Sequence, residues 1–447
     1  AETFARDASA LLGQPVPVLA ARDYTFYTAV SVSRQTEQRR IGTLYAIAEG
    51  KTPLIVATVS GMLQRAIPKN LLMQTAFTIE DGATVAPEDV EYALLRCGYL
   101  RTQQVEGPGQ FSRRGGILDL FSPADELPVR IEFWGDDIDS MSYFEIDSQR
   151  RTEALKTCRI LPAAETLPTL YPGGMTALGG QLIKMSERAA KRKASKQVEN
   201  LVKALRQDGE ILSEGNPLPA ADRYMDVVYE QFETALDYLS PDTVVLLDQP
   251  GRCADRAKEY VKQLSDDVIQ LTAQGTMPAK ADMFFRPWSE LVRGLSEYAL
   301  FFADSFTMGR YPLDPKAVCG VTVKQLASYG GSIQTAMEDI KHYLAMDYQV
   351  VVLAGDERRA GMLSEMLQNH DIPAAFALEP KHLPEPGSCL VLVGSLSAGL
   401  EYTHAKFAIL TDTQIAGGFR RQSKHKKSKS NREAITSCAD LTVGDLV

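Results

Sequence analysis

The sequence predicts an α/β protein: a doubly wound α/β layer interrupted by a small β-rich insert, then a second, smaller α/β unit. Three observations carry that prediction. Apolar strand-like runs alternate with helical stretches on both sides of the chain's middle, the pattern of sheets wrapped by helices. Residues 106–150 read EGPGQFSRRGGILDLFSPADELPVRIEFWGDDIDSMSYFEIDSQR, a close succession of strands and tight turns. From Lys324 the helix–strand alternation starts afresh.

Composition narrows the function. The 447 residues leave room for about three domains of ordinary size. Hydrophobic content of 45% and charged content of 23% are those of a soluble globular protein. A net charge of -9 excludes a chain that coats nucleic acid over its whole surface, so any DNA contact is local. No apolar run reaches the length of a membrane span and no signal peptide is visible, so a cytoplasmic protein without a membrane partner is expected. The six cysteines (Cys97, Cys158, Cys253, Cys319, Cys389, Cys438) are scattered without a CxxC pair, as in a reducing compartment. The five histidines do not cluster with them, so no metal site is expected. The first residue is not methionine and the last run is LTVGDLV, so both ends read as cut from a longer protein.

Taken in order, Glu2–Leu12 has helical periodicity and Val16–Leu19 is a short apolar strand. Gln35–Ala48 is a second helix, Leu54–Val59 a buried parallel-type strand, and Ser60–Ala66 the helix that follows. Gly50-Lys51-Thr52 matches the end of a phosphate-binding loop, but a helix precedes it and a strand follows, the reverse of the required order. Position 45 is tyrosine where that loop needs glycine. We therefore expect a helix end there and no nucleotide site. Pro87–Leu100 is a capped helix leading into the β-rich stretch.

Within Val129–Trp134 the alternation is strict. Val129, Ile131 and Phe133 point one way, Arg130, Glu132 and Trp134 the other. Tryptophan and arginine dominate interface hot spots, so the second face is a candidate docking surface. The plainer alternative stays open: Trp134 caps the sheet edge, and Arg130 pairs with Glu132 or a nearby aspartate.

The strings PGQFSRRGGILDLFSP and ELPVRIEFWGDDIDSMSYFEIDSQR also resemble a segment shared by two families, the excision-repair protein UvrB and the transcription-repair coupling factors. In both, the segment forms a small domain that binds UvrA. The resemblance implies a UvrB-like α/β domain carrying an inserted UvrA-binding domain, with UvrA as partner. It also implies that Arg114, Arg130 and Trp134 are the docking residues, Arg130 foremost. Gly115 and Gly116 leave the face of Arg114 open. The connection ARDYTFYTAVSVSR between Leu19 and Gln35 is too short for UvrB's damage-clamping hairpin, which favours the coupling-factor branch.

Past the insert, Lys184–Leu205 is a charged, helix-forming run. Arg188, Lys191, Arg192 and Lys193, with Lys196, are candidate weak DNA contacts; a solvated helix face is the plainer reading. Thr243–Asp248 reads as a buried strand, Cys253–Leu264 as a helix and Tyr298–Phe302 as a strand, the returning half of the first layer. Asp248 lacks the second carboxylate of a helicase metal box, so it reads as structural. Ser332–Ala345, Gln349–Leu353, Glu357–Asn369, Ala374–Phe376, Cys389–Val393 and Phe407–Thr411 then build a second unit with a parallel sheet. Residues 419–432, FRRQSKHKKSKSNR, read as a flexible linker whose Lys426 and Lys427 add weak phosphate contact.

These readings divide the chain at 1–84 and 166–310 (the two halves of the UvrB-like domain), 85–165 (the insert) and 320–416 (the second α/β unit). Residues 417–437 are the linker, and 438–447 the start of an RNA-polymerase-interacting domain. The function implied is recruitment of UvrA within a coupling factor. The longer parent is implied to be an ATP- and magnesium-dependent translocase on double-stranded DNA. No cofactor or catalytic residue is expected in these residues. The parent is further implied to meet RNA polymerase elsewhere and to fold its C-terminal region against this part. A UvrB-like damage-loading helicase piece and a DNA-binding module are the alternatives.

Overall fold

The computed structural model describes residues 1–26, 34–278, 280–306, 311–378 and 382–415. The chain forms two compact units, Ala1–Val318 and Cys319–Val447.

In the first unit, α1 (Glu2–Leu12) is followed by Val18–Leu19, which pairs in parallel with Val56–Ala57. Between them, α2 (Gln35–Glu49) stops where Gly50 takes the left-handed conformation at φ 68 and caps the helix through its amide. The glycine of the GKT string is thus a helix C-cap. The strand expected over Leu54–Val59 is shorter and not buried: Leu54 is 38% exposed and Ala57 also faces solvent. The helix expected over Ser60–Ala66 covers only Val59–Leu63, because Arg65–Ala66 pairs with Glu233–Thr234 instead.

Chain enters and leaves the insert through one antiparallel pair, Phe77–Glu80 against Thr157–Ile160. Beyond that neck, α3 (Pro87–Arg96) covers one face of a six-stranded sheet. Its strands are β1 (Leu100–Arg101), β2 (Gln110–Arg114), β3 (Ile117–Leu120), β4 (Val129–Trp134), β5 (Asp137–Phe144) and β6 (Arg151–Ala154). They lie in sequence order, antiparallel throughout except β1 beside β2. Phe111, Leu118, Leu120, Val129, Ile131, Ile138 and Met141 pack with Val90 and Leu94 of α3 into a separate core. Each such side chain contributes about 1.5–3 kcal/mol by leaving water.

After the insert come α4 (Gly174–Ala190) and α5 (Lys196–Ser213). The run read as one helix over Lys184–Leu205 is therefore two. The first helix stops at Ala190, and Ser195 adopts an extended backbone and starts the second by accepting from the Val198 amide. The two helices meet at Gly179 and Gly209, where a Cβ on Gly179 would stand 2.6 Å from the Gly209 carbonyl oxygen. Later, α6 (Pro250–Gln274) runs longer than the helix expected over Cys253–Leu264.

The strand expected to be buried over Thr243–Asp248 spans Val244–Asp248 and, among the described residues, pairs only with Ala299–Ala303, in parallel. One face of this two-stranded sheet packs Val245 and Leu300 against Leu291 and Leu295. The other leaves Val244 65%, Leu246 57% and Phe301 58% exposed, so this unbroken apolar run belongs to a sheet that the described residues cover on one side only.

Buried charges tie the first unit together. Arg22 bonds both oxygens of Asp222 and one of Glu165. Arg40 reaches Glu165 and the carbonyls of Ala20 and Gly61. Glu37 accepts from the Glu165 amide, and the Thr166 hydroxyl donates to Asp222. Burial pushes the Glu37 carboxyl up. For Asp222 burial acts in the same sense, but the charge and hydrogen bonds of Arg22 outweigh it and hold that carboxyl below its ordinary range.

The second unit has α7 (Ile333–Ala345) and α8 (Glu357–Asn369) with a six-stranded sheet. Its spatial order is Lys324–Gln325, Leu400–Tyr402, Phe407–Thr411, Gln349–Ala354, Cys389–Val393, Ala374–Ala377. The last four are parallel, as expected, but Leu400–Tyr402 runs antiparallel to both of its neighbours and makes the sheet mixed. Val350, Val352, Val391, Ala408 and Leu410 form its core. The basic run with Lys426 and Lys427, and residues 438–447, lie outside the described residues.

Candidate protein-docking face

Opposite α3, the insert's sheet presents a second face. Strand pairing sets its rungs: Ser112, Asp119, Arg130 and Ser142 lie side by side, as do Arg114, Ile117, Glu132 and Ser140. Arg114 and Ile117 flank a two-residue turn in which Gly115 takes φ 62, a conformation that costs glycine nothing. A Cβ on Gly116 would lie 2.8 Å from the Phe133 carbonyl oxygen. This turn decides the open question of Arg114, which falls on the same face as Arg130.

The alternation expected over Val129–Trp134 holds at its start, with Val129 and Ile131 fully buried. A register shift between Glu132 and Phe133 then leaves Phe133 only half-buried against the core. Trp134, beyond that shift, is 83% exposed and stands opposite Asp137. It is a free aromatic platform rather than a cap on the sheet.

Arg130 is held differently. Its Nε donates to Asp119 Oδ1 at 2.7 Å and its Nη2 to Oδ2 at 2.9 Å. Nη2 also reaches the Gln149 side chain at 3.1 Å, and the guanidinium lies 4.6 Å from the centre of the Phe144 ring. The hydrogen bond to Asp119 pushes the pKa of Arg130 above its ordinary value despite partial burial. Its side chain is 13% exposed, against 55% for Arg114, whose Nη2 bonds the same Asp119 at 3.0 Å. Glu132 is engaged by Arg151 and by Ser140. Of the two partners open for Arg130, the aspartate is the one it takes, so Arg114 and Trp134 are the accessible members of the trio.

Sequence reasoning missed Asp119, Gln149 and Phe144. A signal for Asp119 exists: within ILDL it is the charged residue between two core leucines, on the rung facing Arg130. Gln149, at φ 56 in a turn, carries no comparable pattern.

The other candidate residues lie elsewhere. Arg188 closes α4, and Lys191, Arg192 and Lys193 form the turn to α5; all four side chains are exposed. The described residues contain no group of three or more His, Cys, Asp or Glu able to hold a metal ion. Among them no helix is long and apolar enough to cross a membrane.

Comparison with known proteins bears on this face directly. Residues 77–165, from the first neck strand to Glu165, match the family described as the UvrB interaction domain. The transcription-repair-coupling factor of Bacillus subtilis is 27% identical over 420 residues, covering 93% of this chain and 35% of that protein. The chain is similar to the transcription-repair-coupling factors. The coupling factor of Staphylococcus haemolyticus is 25% identical over 417 residues, 93% of this chain and 35% of its own length. That of Staphylococcus aureus is 24% identical over 446 residues, 99% of this chain and 37% of its own. The chain thus spans about a third of the length of the curated relatives it matches. The resemblance to the coupling factors is borne out along the chain, and the α/β fold class with it.

Proposed function

We propose that this chain is the UvrA-recruiting part of a transcription-repair coupling factor, docking UvrA through the face of Arg114, Arg130 and Trp134. The observation that carries the proposal is Trp134. A tryptophan 83% exposed, in a segment similar to the UvrB interaction domain that also carries the accessible Arg114, has the chemistry of an interface hot spot. In this reading the parent is an ATP-driven translocase on duplex DNA that displaces stalled RNA polymerase and hands the lesion to UvrA. ATP and magnesium serve the parent's motor, and this chain has no ATPase activity of its own. RNA polymerase and DNA meet other parts of the parent. Its C-terminal region covers the docking face until the motor engages, all within the cytoplasm.

Residues 1–84 and 166–310 are the two halves of one UvrB-like domain, 85–165 the insert and 320–416 a separate α/β domain. Residues 417–437 link that domain to the polymerase-interacting region begun at 438–447. Arg188, Lys191, Arg192 and Lys193 add a weak contact with duplex DNA, a reading supported by their exposure, and Lys426 and Lys427 join it by composition.

Calorimetry with UvrA tests the main proposal. The unmodified chain is expected to bind, and Trp134→Ala to bind at least tenfold more weakly, about 1.4 kcal/mol. No binding by the unmodified chain, together with duplex DNA affinity that persists at physiological salt, would replace this reading with that of a DNA-binding module.

A further inference from the structure

We infer that Asp119 is the positioning residue of the docking face: its sunken carboxylate sets Arg130 as a buttress and presents Arg114 to a carboxylate on the partner. The inference rests on the UvrA-docking reading above.

The geometry separates the two arginines. Asp119 is 2% exposed, so water does not compete for its oxygens. Oδ1 is taken by Arg130 at 2.7 Å, and Oδ2 by Arg130 at 2.9 Å and Arg114 at 3.0 Å. This fork-to-carboxylate match fixes the plane of the Arg130 guanidinium. Gln149 and the Phe144 ring close on it from other sides, leaving Arg130 little to offer a partner. Arg114 has one bond to the same oxygen and keeps 55% of its side chain exposed.

Charge counting points to the partner's chemistry. Two guanidinium groups share a single carboxylate, which leaves one positive charge uncompensated within the trio. Glu132, on the next rung, is occupied by Arg151 and cannot supply it. An arginine already held in place loses less side-chain freedom on binding, and its fork suits a carboxylate. A protein acid beside an apolar contact for Trp134 satisfies the surface.

The test is UvrA binding by calorimetry at low and physiological salt, with the whole chain and with Asp119→Asn. The amide keeps the shape but not the charge that holds two guanidinium groups. We expect affinity to fall about tenfold, with a smaller salt dependence. In an Arg114→Ala/Arg130→Ala background the same change is expected to alter UvrA affinity less than twofold, and to raise the melting temperature by removing a buried carboxylate left without its arginines. A purely structural aspartate would weaken binding equally in both backgrounds, and that result overturns the inference.

Arg130→Lys guards against an Asp119→Asn protein that does not fold. Lysine keeps the charge but cannot bridge both oxygens, so a comparable loss is expected; unchanged binding overturns the positioning role. If the unmodified chain binds UvrA and both variants bind as tightly, the inference fails alone. If the unmodified chain does not bind, the docking reading fails and takes the inference with it.

Discussion

Arg22 grips Asp222 through two nitrogens, at 2.7 and 2.9 Å, across 200 positions of sequence. Both side chains are almost wholly buried. Removing one member of such a pair strands the other charge away from water. Arg22→Ala is therefore expected to cost about 3–5 kcal/mol of stability, measured by urea unfolding. A cost below about 1 kcal/mol would mean that the cavity rehydrates.

The same carboxylate sets a pH dependence. Its folded pKa lies below the unfolded value of about 3.9, so its contribution is fully present above that value. It is lost as pH falls through the lower folded pKa. Glu37, raised by burial, acts in the opposite sense: its contribution is greatest at low pH and is lost as pH rises through its raised value. Unfolding followed from about pH 5 down to about pH 2 should show a falling acid limb, beginning below about pH 4, that Asp222→Asn flattens. An unchanged limb would assign the acid sensitivity to other carboxylates.

Exposure makes Trp134 separable from the fold. Trp134→Ala should change stability by less than about 0.5 kcal/mol. The binding loss expected for it therefore reports contact and not unfolding. A clear fall in melting temperature would instead place the ring in the sheet's own packing.

The turn between α4 and α5 makes a third kind of prediction. Reversing Lys191, Arg192 and Lys193 to glutamate should leave thermal unfolding within about 2 °C. Any weak duplex affinity should drop, together with the steepness of its salt dependence. Fluorescence anisotropy with a labelled duplex measures both. Identical salt slopes for the two proteins would remove this turn from consideration.

Backbone proximity gives the fifth. Gly179→Leu places carbon where the Gly209 carbonyl and the Ser213 amide already stand, at 2.6 and 2.7 Å even for Cβ alone. The helices must separate, and a loss of about 2 kcal/mol or more is expected by chemical denaturation. Full retention of stability would show that the hairpin can slide apart without cost.

Period-2 patterning made the insert legible. Val129–Glu132 states in four letters which side chains enter the core and which take the opposite face, and the resemblance carried by the flanking strings points to the same face. The second unit was legible for a related reason, since its parallel strands are short apolar runs that fall between caps and turns. Other features depend on distant neighbours. Nothing near Val244–Asp248 in sequence says that one side of that strand lacks a cover. The break at Lys191–Ser195 hides in residues that all tolerate helix, and only the conformation of Ser195 reveals it. The pairing of Arg114 and Arg130 on one acid needed the register of three strands, which a linear reading does not supply.

The buried charges around Arg22 have a mechanical consequence. Glu165 and Thr166 follow shortly after the neck, and both are clasped inside the α/β layer by Arg22, Arg40 and Asp222. Gln38 of α2 holds Pro108, and Arg159 on the neck holds Tyr45 and Glu49. The insert is thus bolted on rather than hung from a hinge. It is a rigid handle, so a load applied at Trp134 reaches the body of the first unit without slack.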